Sequence, residues 1–132
     1  MIVVDSSALI AILEQEPDAA VYAAAISGAE RLFVSAVNVH ETGVVMRVRH
    51  GLVAVERMWR FLRVDNDFEI IPFDEQQARE AVSAFDHYGK GIHPQARLNL
   101  ADCAAYALAR TMNLPLLFKG DDFTATDISS HL

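Results

Sequence analysis

One cysteine, Cys103, stands among 132 residues. An intramolecular disulfide framework is thereby excluded, and such sparing use of the residue fits a reducing cytoplasm. Prolines number four while 52% of the residues are hydrophobic, which excludes a disordered chain. No apolar run approaches the roughly 18 residues of a membrane span. No basic stretch precedes the first apolar run either, so neither an anchor nor a signal peptide is expected. Repeats, low-complexity tracts and linkers are missing too, and the length suits one domain over residues 1–132. Positive charge is also scarce, with eleven Lys and Arg against eighteen Asp and Glu and a net charge of −7. Taken bare, that deficit argues against nucleic acid, whose phosphates are bound by clustered Lys and Arg. If Asp5, Glu41, Asp102, Asp121 and Asp122 surround divalent cations, eleven basic side chains face only thirteen acidic ones. The acidity is then compatible with a metal-dependent enzyme acting on phosphates.

Hydrophobic patterning supplies the order of elements. "IVVD" reads as a short buried strand and "SALIAILEQ" as a helix capped by Ser6 or Ser7, with Pro17 starting the next. "DAAVYAAAISGA" is a helix stopping at Gly28, "RLFVSA" a second strand, and "VNVHETGVVMRVRHG" a helix ending at Gly51. "LVAVERMWRFLRVDN" places Val55, Met58, Trp59 and Leu62 at helical spacing. "FEIIPF" is a third strand, followed by a helix with Asp74 as cap and Gln77 three residues on. "RLNLADCAAYALARTMN" is a helix with Leu98, Ala101, Ala105, Leu108 and Met112 in one stripe. "LPLLFKGDDF" is a strand running into a turn, and "TDI" a short edge strand. Strands alternating with helices predict an α/β fold around a mostly parallel sheet. Ligands of such sheets sit beyond the carboxyl ends of the strands, where Asp5 and the pair Asp121–Asp122 fall. Glu41 and Asp102 are expected in the first turns of helices.

Each carboxylate also has a purely structural reading. Asp5 can cap the first helix. Glu41 follows Asn38, and Asp102 follows Asn99, by the three residues of a capping box. "GDDF" can be only a polar turn. Asp74 shows how cheap an acid after a strand is, since it opens an ordinary helix with no partner in view. The combination carries more weight, because Glu41 and Asp102 lie in strongly apolar segments. Carboxylates converging at one low-dielectric edge repel one another unless a cation sits between them. Oxygen ligands without histidine or thiolate suit Mg²⁺ or Mn²⁺ rather than Zn²⁺. A pair of such ions roughly 4 Å apart can activate water and stabilise the leaving oxygen of a phosphodiester.

Four segments in order, "MIVVDSSALIAIL", "HETGVV", "LNLADCAAYALAR" and "LPLLFKGDDFTATDI", resemble the successive motifs of PIN-domain ribonucleases, closest to the VapC-like toxins of type II toxin–antitoxin pairs. The resemblance runs from Ile2 to Ile128. It implies a three-layer α/β/α sandwich and Mg²⁺-dependent endonuclease activity on RNA, with metal-activated water attacking phosphorus in line. It further implies a homodimer and inhibition by an antitoxin. By position, the metal-binding and catalytic acids are Asp5, Glu41, Asp102 and Asp121, with Asp122 in reserve for the last. Ser6 or Ser7 is the small polar residue beside the first acid. Ala101 stands where many relatives have glycine, and Asp127 falls in the closing "TDI" motif as a turn or supporting group.

Lys90, His93 and Arg97 precede the Asp102 helix as a candidate phosphate clamp, or simply a solvated loop. Arg47, Arg49, His50, Arg57, Arg60 and Arg63 make a basic middle region suited to RNA or an acidic partner, though solvated helix faces are the better account of it. Trp59 and Phe61 can stack bases but suit core or dimer packing better. His40 reads as a structural or surface residue. Cys103 reads as a small buried hydrophobe, having no base beside it. Two other functions fit this class of chain. A phospho-acceptor receiver domain would explain Lys119 after the last strand, but it needs paired acids after the first strand and an acceptor Asp after a middle one. Ser6 and Ser35 stand there. A binding module with a dead nuclease site is the third reading.

Overall fold

Ile2, Val3 and Val4 are apolar on both sides of the chain, as a strand buried on both faces must be. In the computed structural model, which describes residues 1–132, they form β1 (Ile2–Val4) at the centre of a sheet. β2 (Leu32–Ser35), β3 (Phe68–Ile71) and β4 (Leu116–Leu117) complete it in the order β3-β2-β1-β4, every pair parallel. Helices α1 (Ser6–Leu13), α2 (Ala19–Gly28), α3 (Ala36–His50), α4 (Leu52–Arg60), α5 (Glu75–Tyr88) and α6 (Leu100–Met112) connect the strands. Strand side chains alternate between the two faces. Ile2, Val4, Leu32 and Val34 point into one core with Leu9, Tyr22, Ile26, Val39 and Met58 from α1 to α4. Val3 and Phe33 point into the other with Ala81, Ala84, Ala105 and Leu108 from α5 and α6. The three-layer α/β/α architecture that the resemblance implies is therefore present.

Strand order fixes where a ligand can go. From β1 the chain steps outward to β2 and β3, then returns to lay β4 on the other flank of β1. The direction of winding changes between β1 and β4, and their carboxyl ends splay into a crevice there. Asp5 follows β1, and its backbone N–H donates to the Leu117 carbonyl at 2.9 Å.

The sheet is parallel throughout, in keeping with the mostly parallel sheet expected. Several local expectations are corrected. The cap of α1 is Asp5, not Ser6 or Ser7, since the Asp5 side chain accepts the Ser7 N–H. Pro17 lies two residues ahead of α2, and Asp18 gives that helix no side-chain cap because its carboxylate is held by Lys119. Glu41 sits in the second turn of α3, not the first. Ser35 caps α3 and accepts from Val37 N–H, so Asn38–Glu41 is not a capping box. The fourth helix leaves α-geometry at Phe61 and closes with a π-helical turn through Asp65. Leu98 is buried but precedes α6. "TDI" forms no strand; the tail makes one bridge, Leu116 to Ser130.

Asp74 caps α5 as expected, accepting from Gln77 N–H at 3.0 Å. Asp74→Ala should cost about 1 kcal/mol in urea unfolding. Because no acid of the candidate site touches this cap, cation binding by the variant should match the parent, and a changed affinity would contradict that separation.

Candidate active site

Asp5 is an acid placed where burial is hardest to tolerate. It is 2% exposed, at the carboxyl end of the central strand. Its Oδ2 accepts from Ser7 N–H at 3.0 Å and from the Ser7 hydroxyl at 2.5 Å. The Ser7 oxygen in turn accepts from Lys119 N–H at 2.9 Å, so one hydroxyl registers the end of β4 against the acid. Oδ1 is buried with no partner at all. Burial pushes the carboxyl up to about 6, with the Ser7 hydrogen bonds pulling down and the charge of Glu41 pushing up. The capping reading of Asp5 is met by one oxygen, and the other oxygen is left open.

Asp102 repeats the arrangement. In a capping box, Asn99 Oδ1 accepts from Asp102 N–H at 2.8 Å and Asp102 Oδ2 accepts from Asn99 N–H at 3.0 Å. Burial raises its carboxyl to about 7. The Asn99 N–H opposes this, while the charges of Asp5, Asp122 and Glu41 add to it. Asp5, Glu41, Asp102 and Asp122, from four segments of the chain, therefore lie within electrostatic reach of one another. Asp121 lies beside Asp122 in the exposed turn, where its backbone carbonyl accepts from Thr124 N–H and hydroxyl. No three His, Cys, Asp or Glu side chains stand as a formed ligand set. The donors are all oxygen, and the partnerless Asp5 Oδ1 is an acceptor that a cation satisfies, so the residues fit Mg²⁺ or Mn²⁺.

Residues 2–129 match the family model of the PIN domain. The chain belongs to the PIN-domain family. Ribonuclease VapC28 of Mycobacterium tuberculosis is 40% identical over 130 residues, covering 98% of this chain and 97% of that protein. Ribonuclease VapC42 of the same species is 40% identical over 126 residues, covering 96% and 95%. Among solved structures, the sarcin–ricin-loop-cleaving toxin VapC20 of M. tuberculosis superposes with a TM-score of 0.79 at 14% identity, covering 97% of this chain and 96% of that one. FitAcB of Neisseria gonorrhoeae superposes with a TM-score of 0.72 at 23% identity over the full length of both chains. These two likenesses bear on the fold, which they share. Neither comparison favours a receiver domain.

The other candidates of this PIN domain are placed as follows. Lys90 and Arg97 are exposed and make no ion pair, on the loop leading into α6. His93 Nδ1 accepts from Gln95 and Ala96 N–H at 3.0 and 2.9 Å, so the imidazole shapes that loop with one nitrogen and offers only Nε2 outward. Arg49 and His50 are both bound to Glu14, Arg60 to Asp65, and Arg63 to the Phe68 carbonyl. Lys119 is clamped by Glu16 and Asp18, each at 2.9 Å, which removes it from the crevice chemistry. Asp127 accepts from the Tyr106 hydroxyl and pairs with Arg110, fastening the tail to α6. Cys103 is buried and its thiol is pushed up to about 11 by burial and then by Asp102, which keeps it protonated. Phe61 packs on Phe68, while Trp59 and His40 line an apolar groove of about 560 Å³ between α3 and α4, away from the acids.

Asn38 was not singled out by sequence reasoning. It is fully buried in α3, bonded to Ser6 and to the Ala101 carbonyl. A polar residue between two valines in "AVNV" was the available signal.

Both raised carboxyls bind their protons more tightly folded than unfolded. They favour folding at low pH and oppose it as pH climbs from the unfolded value near 3.8 past about 7. In EDTA, the melting temperature should therefore fall between pH 4.5 and 8, and fall less in Asp5→Asn, whose amide keeps the cap without the charge. Thermal scans across that range check this; a flat or rising profile contradicts it.

Proposed function

We propose that this chain is a divalent-metal-dependent endoribonuclease, the toxin of a type II toxin–antitoxin pair, acting in the cytoplasm as one PIN-like nuclease domain. The observation that carries the reading is the partnerless Asp5 Oδ1, buried among the like charges of Glu41, Asp102 and Asp122 at the winding reversal of the sheet. The ribonuclease names of relatives at 40% identity support the activity. Asp5, Glu41, Asp102 and Asp122 would hold the Mg²⁺ or Mn²⁺. Asp122 takes the fourth place ahead of Asp121 because its charge is among the leading ones acting on Asp102. Bound there, such an ion would supply Lewis acidity toward a phosphate oxygen and lower the pKa of water. The protein's own residues do the rest. Ser7 fixes the Asp5 oxygen that faces α1 and leaves the other to the crevice. Asn99 does the same for Asp102. Lys90 and Arg97, free of ion pairs beside α6, receive the phosphates of the RNA backbone.

RNA cleavage by the wild type should vanish in EDTA and return with Mg²⁺ or Mn²⁺. Asp5→Asn should lower it by about a hundredfold or more, in line with loss of charge stabilisation at a transferring phosphoryl group, while the protein remains folded. Asp122→Asn should be as damaging, and Asp121→Asn close to neutral. The reverse order would return the fourth place to Asp121. Cleavage surviving in Asp5→Asn sinks the assignment. Absence of both cleavage and Mn²⁺ binding by calorimetry favours the inactive binding module.

Two partner surfaces accompany this reading, one for an antitoxin and one for a second copy of the chain. Toxin–antitoxin complexes among the fold neighbours support the first. Two apolar faces are exposed. Val44, Val48, Leu52 and Trp59 border the α3–α4 groove, and Phe73, Val82, Phe85 and Leu100 border another of about 420 Å³ over α5 and α6. Exposed apolar patches of this kind mark interaction sites. A carboxylate introduced at each face, Val48→Glu and Phe85→Glu, should abolish one contact apiece. Light scattering of the toxin alone and with its antitoxin separates them; two variants that retain both contacts would refute the assignment of partners to these faces.

A further inference from the structure

Three helices bring acids to the crevice, and one side chain touches all three. Asn38 lies in α3 one turn before Glu41 and is wholly buried. Its Nδ2 donates to the Ser6 hydroxyl at 2.8 Å and to the Ala101 carbonyl at 3.1 Å. Ser6 follows Asp5, and Ala101 precedes Asp102. We propose that Asn38 is a positioning residue, whose carboxamide sets the spacing of Asp5, Glu41 and Asp102 so that one cation can be shared among them. The inference rests on the metal-dependent reading above and deepens it.

The hydrogen-bond inventory supports a role beyond filling space. Turning the amide over would set its oxygen against the Ala101 carbonyl, acceptor to acceptor, so the orientation is determined by the contact itself. In that orientation Asn38 Oδ1 is buried without a partner. A buried unsatisfied acceptor is costly, and an apolar side chain at this position would avoid the cost. The backbone carbonyl of Asn38 also accepts from the Thr42 hydroxyl at 2.8 Å and from Ser6 at 3.4 Å, which stiffens this turn of α3. The residue thus gives up local satisfaction to span two chain segments 95 positions apart. The acids beside those segments repel one another, and a cross-tie opposes their separation. Partners that orient the ligands of a metal act on its affinity through geometry.

Calorimetric Mn²⁺ titration of the whole chain tests this, at a temperature where circular dichroism shows each variant folded. Asn38→Ala should weaken Mn²⁺ binding by about tenfold or more, the usual scale for loss of a ligand-orienting contact. Leu62→Ala, which opens a cavity in the core under α4, is the control for stability. It should lower the melting temperature at least as much and leave Mn²⁺ affinity within about twofold. Equal Mn²⁺ affinity in Asn38→Ala and wild type would overturn the proposal, as would an equal loss in Leu62→Ala. If Asn38→Ala does not fold, Ser6→Ala removes one arm of the tie and should still weaken binding severalfold; unchanged affinity there overturns the proposal as well. A wild-type chain that binds no Mn²⁺ overturns the metal reading instead, so the two failures are distinct.

Discussion

A carboxylate at the end of a buried parallel strand has two ways to exist. It can take a proton, or it can take a cation, because the strand end is too dry to leave its charge unmatched. Asp5 is in that position, and its environment is arranged to keep the choice open. Ser7 satisfies one oxygen with two hydrogen bonds, while the other faces no donor from the protein. Had the surrounding chain supplied a lysine there, the charge would be neutralised permanently. The nearest lysine along β4, Lys119, sends its backbone N–H toward Ser7 but its ammonium to Glu16 and Asp18. The sheet end thus keeps its negative charge, and Glu41, Asp102 and Asp122 add to it.

Polar burial elsewhere in the molecule follows from this requirement. Six polar or charged residues are buried, and five of them, Asp5, Ser6, Ser35, Asn38 and Thr42, lie at the starts of α1 and α3 beside the crevice. Ser35 and Asp5 both follow strands and both cap the helix that comes next. Helix N-termini carry partial positive charge that favours nearby anions. Three helices therefore begin around the acids, with Asp5 as the cap of α1 and Asp102 in the first turn of α6. The capping roles and the proposed ligand roles are not rivals. A helix start fixes one carboxylate oxygen and, by fixing it, aims the other.

Sequence made the architecture legible because the strands are short, apolar on both faces and separated by helices with recognisable starts. Asp5, Glu41 and Asp102 could be singled out because an acid embedded in an apolar segment conflicts with its surroundings. What stayed hidden depended on distance in space. Asp121 and Asp122 are adjacent and chemically identical, so residue order does not separate them, and the proposal for Asp122 rests on its charge reaching Asp102 in the folded chain. Asn38 was masked by the capping-box spacing to Glu41; Ser35 had already taken the cap, which freed the amide for Ser6 and Ala101. The "TDI" segment had strand-like residues but no strand neighbour beyond β4, and it closes on α6 through Asp127 instead.

Charge pairing explains how so acidic a chain can still meet a polyanion under the proposed function. Of its eleven cationic side chains, Arg31, Arg49, Arg60, Arg79, Arg110 and Lys119 are held by carboxylates. Arg63 is held by a carbonyl. Only Arg47, Arg57, Lys90 and Arg97 remain unpaired, and Arg47 lines the apolar groove rather than the crevice. Counterion release scales with the number of phosphates neutralised, and two free cations near α6 neutralise few. Under the proposed function, a divalent ion would offset part of the charge of the four carboxylates and lower the repulsion of a phosphate at the crevice, with Lys90 and Arg97 free of ion pairs beside α6. On that reading the ion would serve substrate binding as well as chemistry, because the carboxylates without it present only like charge to a phosphate.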